Sequence, residues 1–260
     1  MNQCLNNNEK RWLKYYIGDV LGSDNFWSEP KAYLVLNSMF YDGIETEKSR
    51  TAEGKFLNPS ILDDVERLLD FYDNMFSAFS KSHTDKDIIT YRVERYSDFL
   101  PILDNNYTIS FTSTSINGFL NAYRDRKKII LIKFFIPESV SCINVAEALD
   151  FYAKPEEAEI LLPPFMYLDL MQKVPTEKEM KITDSDGKSP ENTCIAVCNC
   201  WNNISERTRN LDTYGSKAGQ RVYNALNNGK NPIPEDIKIY TEWKKDFRQI
   251  YKLTYKNCCT

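Results

Sequence analysis

The chain has 260 residues, with 33 lysines and arginines against 37 aspartates and glutamates, for a net charge of -4. That length suffices for one large domain, or a domain with an appendage, with most of its apolar surface buried. The slight acidity gives no general electrostatic reason to hold nucleic acid, and no apolar run reaches the roughly 20 residues of a membrane-spanning helix, so neither a nucleic acid nor a membrane partner is expected.

The first ten residues, Met1 to Lys10, hold no apolar h-region, which argues against a secretory signal. The 7 cysteines are odd in number and then read as reduced thiols of a cytosol, so a cytoplasmic protein is expected. Lys10 to Leu21 reads as a helix ended by Gly22-Ser23-Asp24. Asn58-Pro59 marks the start of another. In it Ile61, Leu62, Val65, Leu68, Leu69, Tyr72, Met75, Phe76 and Phe79 recur at helical spacing opposite Asp63, Asp64, Glu66 and Asp70. From Asp87 the texture turns to β-branched and aromatic residues. Strands are expected at 88–93, 107–114, 128–136, 140–145, 158–162 and 165–170. Closely spaced strands after helices, without regular βαβ alternation, point to an α+β fold with a largely antiparallel or mixed sheet. The polar, turn-forming stretch Lys181 to Asn192 reads as an exposed loop or boundary, with helix resuming beyond it. Tyr240, Trp243, Phe247, Ile250 and Tyr251 form a stripe there that reads as packing against the rest of the protein. The expected organisation is an N-terminal helical segment (1–84), a catalytic core (85–180) and a mainly helical C-terminal extension (181–260).

Chemistry concentrates in three of the expected strands. Arg92, in Thr90-Tyr91-Arg92-Val93-Glu94, is flanked by apolar residues, and its planar fork either meets a phosphate or carboxylate or snorkels to water. Phe111-Thr112-Ser113-Thr114-Ser115 puts hydroxyls on both faces of a strand that ordinarily shows one apolar face. Pro155-Glu156-Glu157-Ala158-Glu159-Ile160-Leu161-Leu162-Pro163-Pro164-Phe165 crowds carboxylates at the mouth of a short apolar run. On a strand Glu157 and Glu159 point to one side, where like charges repel unless they face water or a cation. Cys194, Cys198 and Cys200 have a passing look of metal ligands, but no second cluster follows and the single histidine, His83, lies far upstream, so no metal is expected. Cys258-Cys259 sits too close to the end to form a prenylation box.

An arginine, an aromatic-x-Ser-Thr-Ser strand and a Glu-x-Glu pair, in this order, resemble the mono-ADP-ribosyltransferases of the Arg-Ser-Glu class, over about Ile88 to Leu170. The last segment is similar to the Glu-Glu-x-Glu-Val-Leu-Ile-Pro-Pro-Phe stretch of vertebrate-type arginine-specific enzymes and related bacterial toxins. The resemblance implies a split, mixed β-structure and NAD+ as substrate, with no metal. It implies that Arg92 grips the dinucleotide phosphates and that the backbone of Val93 holds the nicotinamide amide. Glycine is common in the family at the latter position, and the valine side chain narrows the room. Ser113 would orient Glu159, with Thr114 and Ser115 lining the same cofactor site. Glu159 would stabilise the positive charge that develops on the ribose as nicotinamide leaves, and hold a ribose hydroxyl. Glu157 would receive an arginine of a protein acceptor, with Tyr152 contacting it; Glu156 has no family role and reads as solvated. The loop after Ser115 offers Phe119 or Tyr123 to stack on nicotinamide. His83 does not replace Arg92, which argues against the diphtheria-like branch. The implied activity is transfer of ADP-ribose to arginine, by a toxin, an effector or an endogenous enzyme, acting in its own cytosol or after delivery without a cleavable signal peptide. Water as acceptor, giving an NAD+ glycohydrolase, and a non-catalytic NAD- or partner-binding module are the alternatives.

Overall fold

A computed structural model describes residues 4–17, 33, 36–37, 39–40, 65–117, 129–149, 158–173, 192–199 and 213–256. Seven strands form a single sheet: Ile88–Arg95 (β1), Thr112–Ser115 (β2), Ile129–Ile136 (β3), Ile143–Asn144 (β4), Glu159–Leu162 (β5), Leu168–Lys173 (β6) and Asn192–Cys198 (β7). Their order is β4-β5-β2-β1-β3-β7-β6. All neighbours are antiparallel except β3 and β7, which run parallel. Among the described residues the helices are Asn7–Ile17 (α1), Val65–Lys81 (α2), Tyr96–Asn105 (α3), Val145–Ala148 (α4), Thr213–Asn227 (α5) and Pro234–Lys256 (α6). The class is α+β with a mixed sheet, as the sequence led us to expect.

β3, Ile-Ile-Leu-Ile-Lys-Phe-Phe-Ile, is apolar at all but one position, and six of its eight residues are buried. Such a run suits a strand covered on both faces. β1 pairs with it along its whole length, from Ile88 opposite Ile136 to Arg95 opposite Ile129. On its other edge β1 pairs with β2 at one position only, Tyr91 opposite Ser115. Continuing that antiparallel register would set Val93 against Ser113, and this pair is not formed. The sheet therefore opens between β1 and β2 just past Tyr91.

Two local features depart from the sequence expectation. β7 lies where helix was expected to resume, and it inserts between β3 and β6; its Thr-Cys-Ile-Ala-Val-Cys core is a β-forming run that the polar loop before it obscures. α3 links β1 to the segment that leads into β2, with Pro101 inside the helix. The strand expected from Tyr107 starts only at Thr112, with Tyr107 making an isolated bridge to Tyr167. The expected start of the second helix at Asn58-Pro59 lies outside the described residues.

By contacts the chain divides into two units, Met1–Leu5 with Ala78–Asn202, and Asn6–Ser77 with Asn203–Thr260. In the second unit α1 starts three residues before the expected Lys10. The Asn6 Oδ1 accepts from the backbone N–H of Asn8 and Glu9, at 2.9 Å each, and the Glu9 Oε2 accepts from the Asn6 N–H at 2.8 Å. This is a reciprocal capping box. Trp12 donates to Asp70 at 2.9 Å and meets Phe71 edge-on at 5.6 Å. Tyr240 and Trp243 of the expected stripe belong to α6 and pack against α5, where a Cβ on Gly215 would come 2.1 Å from Trp243 Cγ and one on Gly219 would come 2.6 Å from Tyr240. The two glycines are what lets the aromatic rings approach α5. The side chains of Phe247, Ile250 and Tyr251 lie outside the described residues.

Candidate active site

The order β5-β2-β1 puts the three chemical motifs on three adjacent strands, with the Ser-Thr-Ser strand in the middle. Glu159 on β5 stands opposite Ser115 on β2, and Ser115 stands opposite Tyr91 on β1. Directly opposed residues share a face of the sheet, so Glu159, Ser115 and Tyr91 form one cross-strand row. Ser113, two residues back, is on the same face and is the diagonal neighbour of Glu159, at roughly 7–8 Å between Cα atoms. The hydroxyls on both faces of β2 thus divide their work. The serines face the Glu159 side, while Thr114 is buried on the other face and donates to the Ile160 carbonyl at 2.8 Å, tying β2 to β5. Thr112 is also buried and donates to the Ser110 carbonyl at 3.0 Å.

Arg92 points from the opposite edge of the opening. By strand alternation it is on the face away from Tyr91, yet its Nη1 reaches across to β2 and donates to the Ser113 carbonyl at 2.6 Å. Its Nη2 pairs with the Glu94 carboxylate. So Arg92 meets the backbone of the Ser-Thr-Ser strand, and Glu159 flanks that strand from the other side. Glu94 is the site residue that sequence reading passed over. The signal was its position two residues from Arg92, the spacing that brings side chains together on a strand. Val93 packs in an apolar cluster with Ile129, Leu131 and Tyr91, and by strand alternation it shares the face of Tyr91.

Glu159 is 9 % exposed, at the first position of β5. The residue before it, Ala158, has φ of 44°, in the left-handed region that costs a residue with a side chain about 1–2 kcal/mol. Its carbonyl accepts from the Ile116 N–H at 3.2 Å, which anchors the turn. Strand alternation therefore stops at Glu159, and the same-side reasoning for Glu157 and Glu159 does not carry through Ala158. Glu157, Glu156 and Tyr152 lie outside the described residues, as do Phe119 and Tyr123.

Two further sets of contacts hold the frame. Phe111, the aromatic of the serine motif, stacks on Phe79 of α2 at 5.8 Å with 10° between planes. At the far end of β5, Thr108 makes several hydrogen bonds to the turn from Pro163 to Met166. Its hydroxyl donates to the Pro163 carbonyl at 2.6 Å and accepts from the Met166 N–H at 3.0 Å, and its carbonyl accepts from the Phe165 N–H at 2.6 Å. This holds Phe165 at φ of 62°. His83 forms an isolated bridge to Ser141, outside β1.

Cys194 and Cys198 both lie on β7, four residues and so about 13 Å apart along a strand, too far to share a metal. Among the described residues no group of three or more His, Cys, Asp or Glu side chains is placed to hold one. Cys200 lies outside the described residues. Burial pushes the Cys142 thiol up to about 12 and the Cys194 thiol up to about 11, and pushes Cys198 up as well. These thiols stay protonated in the folded chain when the unfolded chain has lost their protons. Their contribution is full below the ordinary thiol value of 9.0 and is lost as pH rises from there towards 11 to 12. The urea midpoint is expected to fall from pH 9 upward. At pH 8 the exposed Cys4 is expected to react with iodoacetamide while the three buried thiols are spared. Native labelling of the three at the rate of Cys4 would contradict their protection.

No protein-family model and no curated protein matches the chain. Solved structures do. The C3 exoenzyme of Clostridium limosum is 12% identical, with 75% of this chain and 86% of that one covered and a TM-score of 0.42. Plx2a, an ADP-ribosyltransferase toxin from Paenibacillus larvae, is 14% identical over 75% and 87% of the two chains, with a TM-score of 0.40. BECa, an ADP-ribosylating toxin of a binary enterotoxin of C. perfringens, solved with NADH, is 18% identical over 75% and 44%, with a TM-score of 0.44. Plx2a and BECa are named as ADP-ribosylating toxins. Identities and scores this low carry no argument about function. Among the described residues no helix is long and apolar enough to cross a membrane.

Proposed function

We propose that this protein transfers ADP-ribose from NAD+ to arginine side chains of a protein acceptor, releasing nicotinamide. The observation that carries the reading is the assembly of the arginine, the Ser-Thr-Ser strand and Glu159 on three adjacent strands, where the register sets Glu159 against Ser115 and Arg92 bonds the Ser113 carbonyl. NAD+ offers an anionic pyrophosphate for Arg92 and a ribose whose bond to nicotinamide breaks. As that bond lengthens, its electron pair leaves with nicotinamide and the ribose gains oxocarbenium character. Glu159, a carboxylate largely withdrawn from water, opposes that charge where water screens it least. Ser113 and Ser115, on its face, are the hydroxyls placed to orient it. The acceptor guanidine nitrogen then bonds to the ribose carbon and gives up a proton, for which Glu157 is the proposed docking group and base. The sheet-bearing unit is assigned the chemistry, and the helical segments are assigned choice of the protein target. The reaction takes place in a cytosol, that of the producing cell or of a cell to which the protein is delivered.

Glu157→Ala tests the acceptor half of the reading. With labelled NAD+ and agmatine, label in agmatine is expected to fall at least about 30-fold, while nicotinamide release continues at a rate set by water. Nicotinamide release by the wild type that is as fast without any acceptor, and never labels one, would identify a glycohydrolase instead. A protein that neither binds nor cleaves NAD+ would be a binding module for another partner.

A further inference from the structure

We propose that Glu94 is an internal anion that the NAD+ pyrophosphate must displace from Arg92, and that it thereby sets the affinity of this protein for dinucleotides; the inference rests on the phosphate-gripping role assigned to Arg92 above. Arg92 and Glu94 are two residues apart on β1, so their side chains leave the same face, and the guanidinium Nη2 meets the Glu94 carboxylate. The residues opposite them on β3 are Ile132 and Ile130, both fully buried. The pair is itself partly withdrawn from water, with side-chain exposures of 27% for Arg92 and 12% for Glu94. A guanidinium in such surroundings requires an anion, because an uncompensated charge there is strongly unfavourable. Glu94 supplies one, while the Ser113 carbonyl holds Nη1 and fixes the direction of the fork.

A pyrophosphate carries a negative charge on each phosphate. It cannot approach the same guanidinium nitrogens without either repelling the Glu94 carboxylate or driving it off. Binding is therefore an exchange of one anion for another, and its gain is the difference between two charge-assisted pairs. Ligands lacking the phosphates do not take part in the exchange.

The experiment is direct binding, by calorimetry, of NAD+, ADP-ribose and nicotinamide to the full chain, comparing wild type with Glu94→Gln and Glu94→Ala. Glutamine keeps the size and an acceptor oxygen and removes the charge; alanine removes both. Each variant is expected to bind NAD+ and ADP-ribose about fivefold more tightly, with nicotinamide unchanged. Unchanged or weaker binding of the phosphate-bearing ligands overturns the proposal. So does an equal change for all three ligands, which would mark Glu94 as a general structural support, and so does failure of both variants to fold. A wild type that binds neither NAD+ nor ADP-ribose would instead sink the functional reading itself.

Discussion

Glu159→Gln is expected to slow NAD+ cleavage about 10²- to 10³-fold, or roughly 3–4 kcal/mol of transition-state stabilisation, while NAD+ binding changes little. Glutamine matches the size of glutamate, so the buried start of β5 keeps its packing and its place opposite Ser115. What disappears is the negative charge proposed to lie under the ribose, which would matter only once positive charge has developed there. The turnover number should collapse with little change in the affinity measured at equilibrium. Nicotinamide release followed by chromatography gives the rate, and titration gives the affinity. A variant retaining more than about a tenth of the wild-type rate would remove Glu159 from the chemistry, since even one electrostatic contact at a transition state ordinarily contributes more than that.

Arg92→Ala is expected to act at the other end of the dinucleotide, raising the dissociation constant for NAD+ about 10- to 100-fold, the equivalent of one or two charge-assisted hydrogen bonds. Alanine also leaves the Glu94 carboxylate without its Arg92 contact beside the place proposed for the phosphates, so repulsion should add to the loss. Lysine at the same position should recover part of the affinity. It keeps the charge but not the fork that serves the Ser113 carbonyl and a phosphate together. Binding of nicotinamide, which has no phosphate, should be unaffected. If Arg92→Ala binds NAD+ as the wild type does, the phosphates rest elsewhere and the ion pair with Glu94 is structural.

Much of this molecule can be read along the chain. The helix α2 declares itself by apolar residues at helical spacing, and β1 and β3 by branched and aromatic runs. The three motifs can be found by eye because each is local. One stretch misled for local reasons as well. The cysteines of β7 drew attention to metal chemistry in a segment whose alternating burial is that of an ordinary strand. Glu94 was in view beside Arg92 but silent, since a carboxylate two residues from an arginine becomes a partner only when the backbone is extended.

By itself the sequence determined which chemistry is available: a guanidinium, a hydroxyl-bearing strand and a carboxylate pair, along with the α+β class. Tertiary structure alone decided that β2 lies between β1 and β5, that Glu159 faces Ser115, and that the sheet opens where Arg92 reaches the Ser113 carbonyl. It also decided the left-handed turn at Ala158 that aims the chain into β5. The reason is one of range. Helical and strand periods express the geometry of a few consecutive residues, whereas strand order and register express which distant segments bury the most surface and satisfy the most backbone groups together.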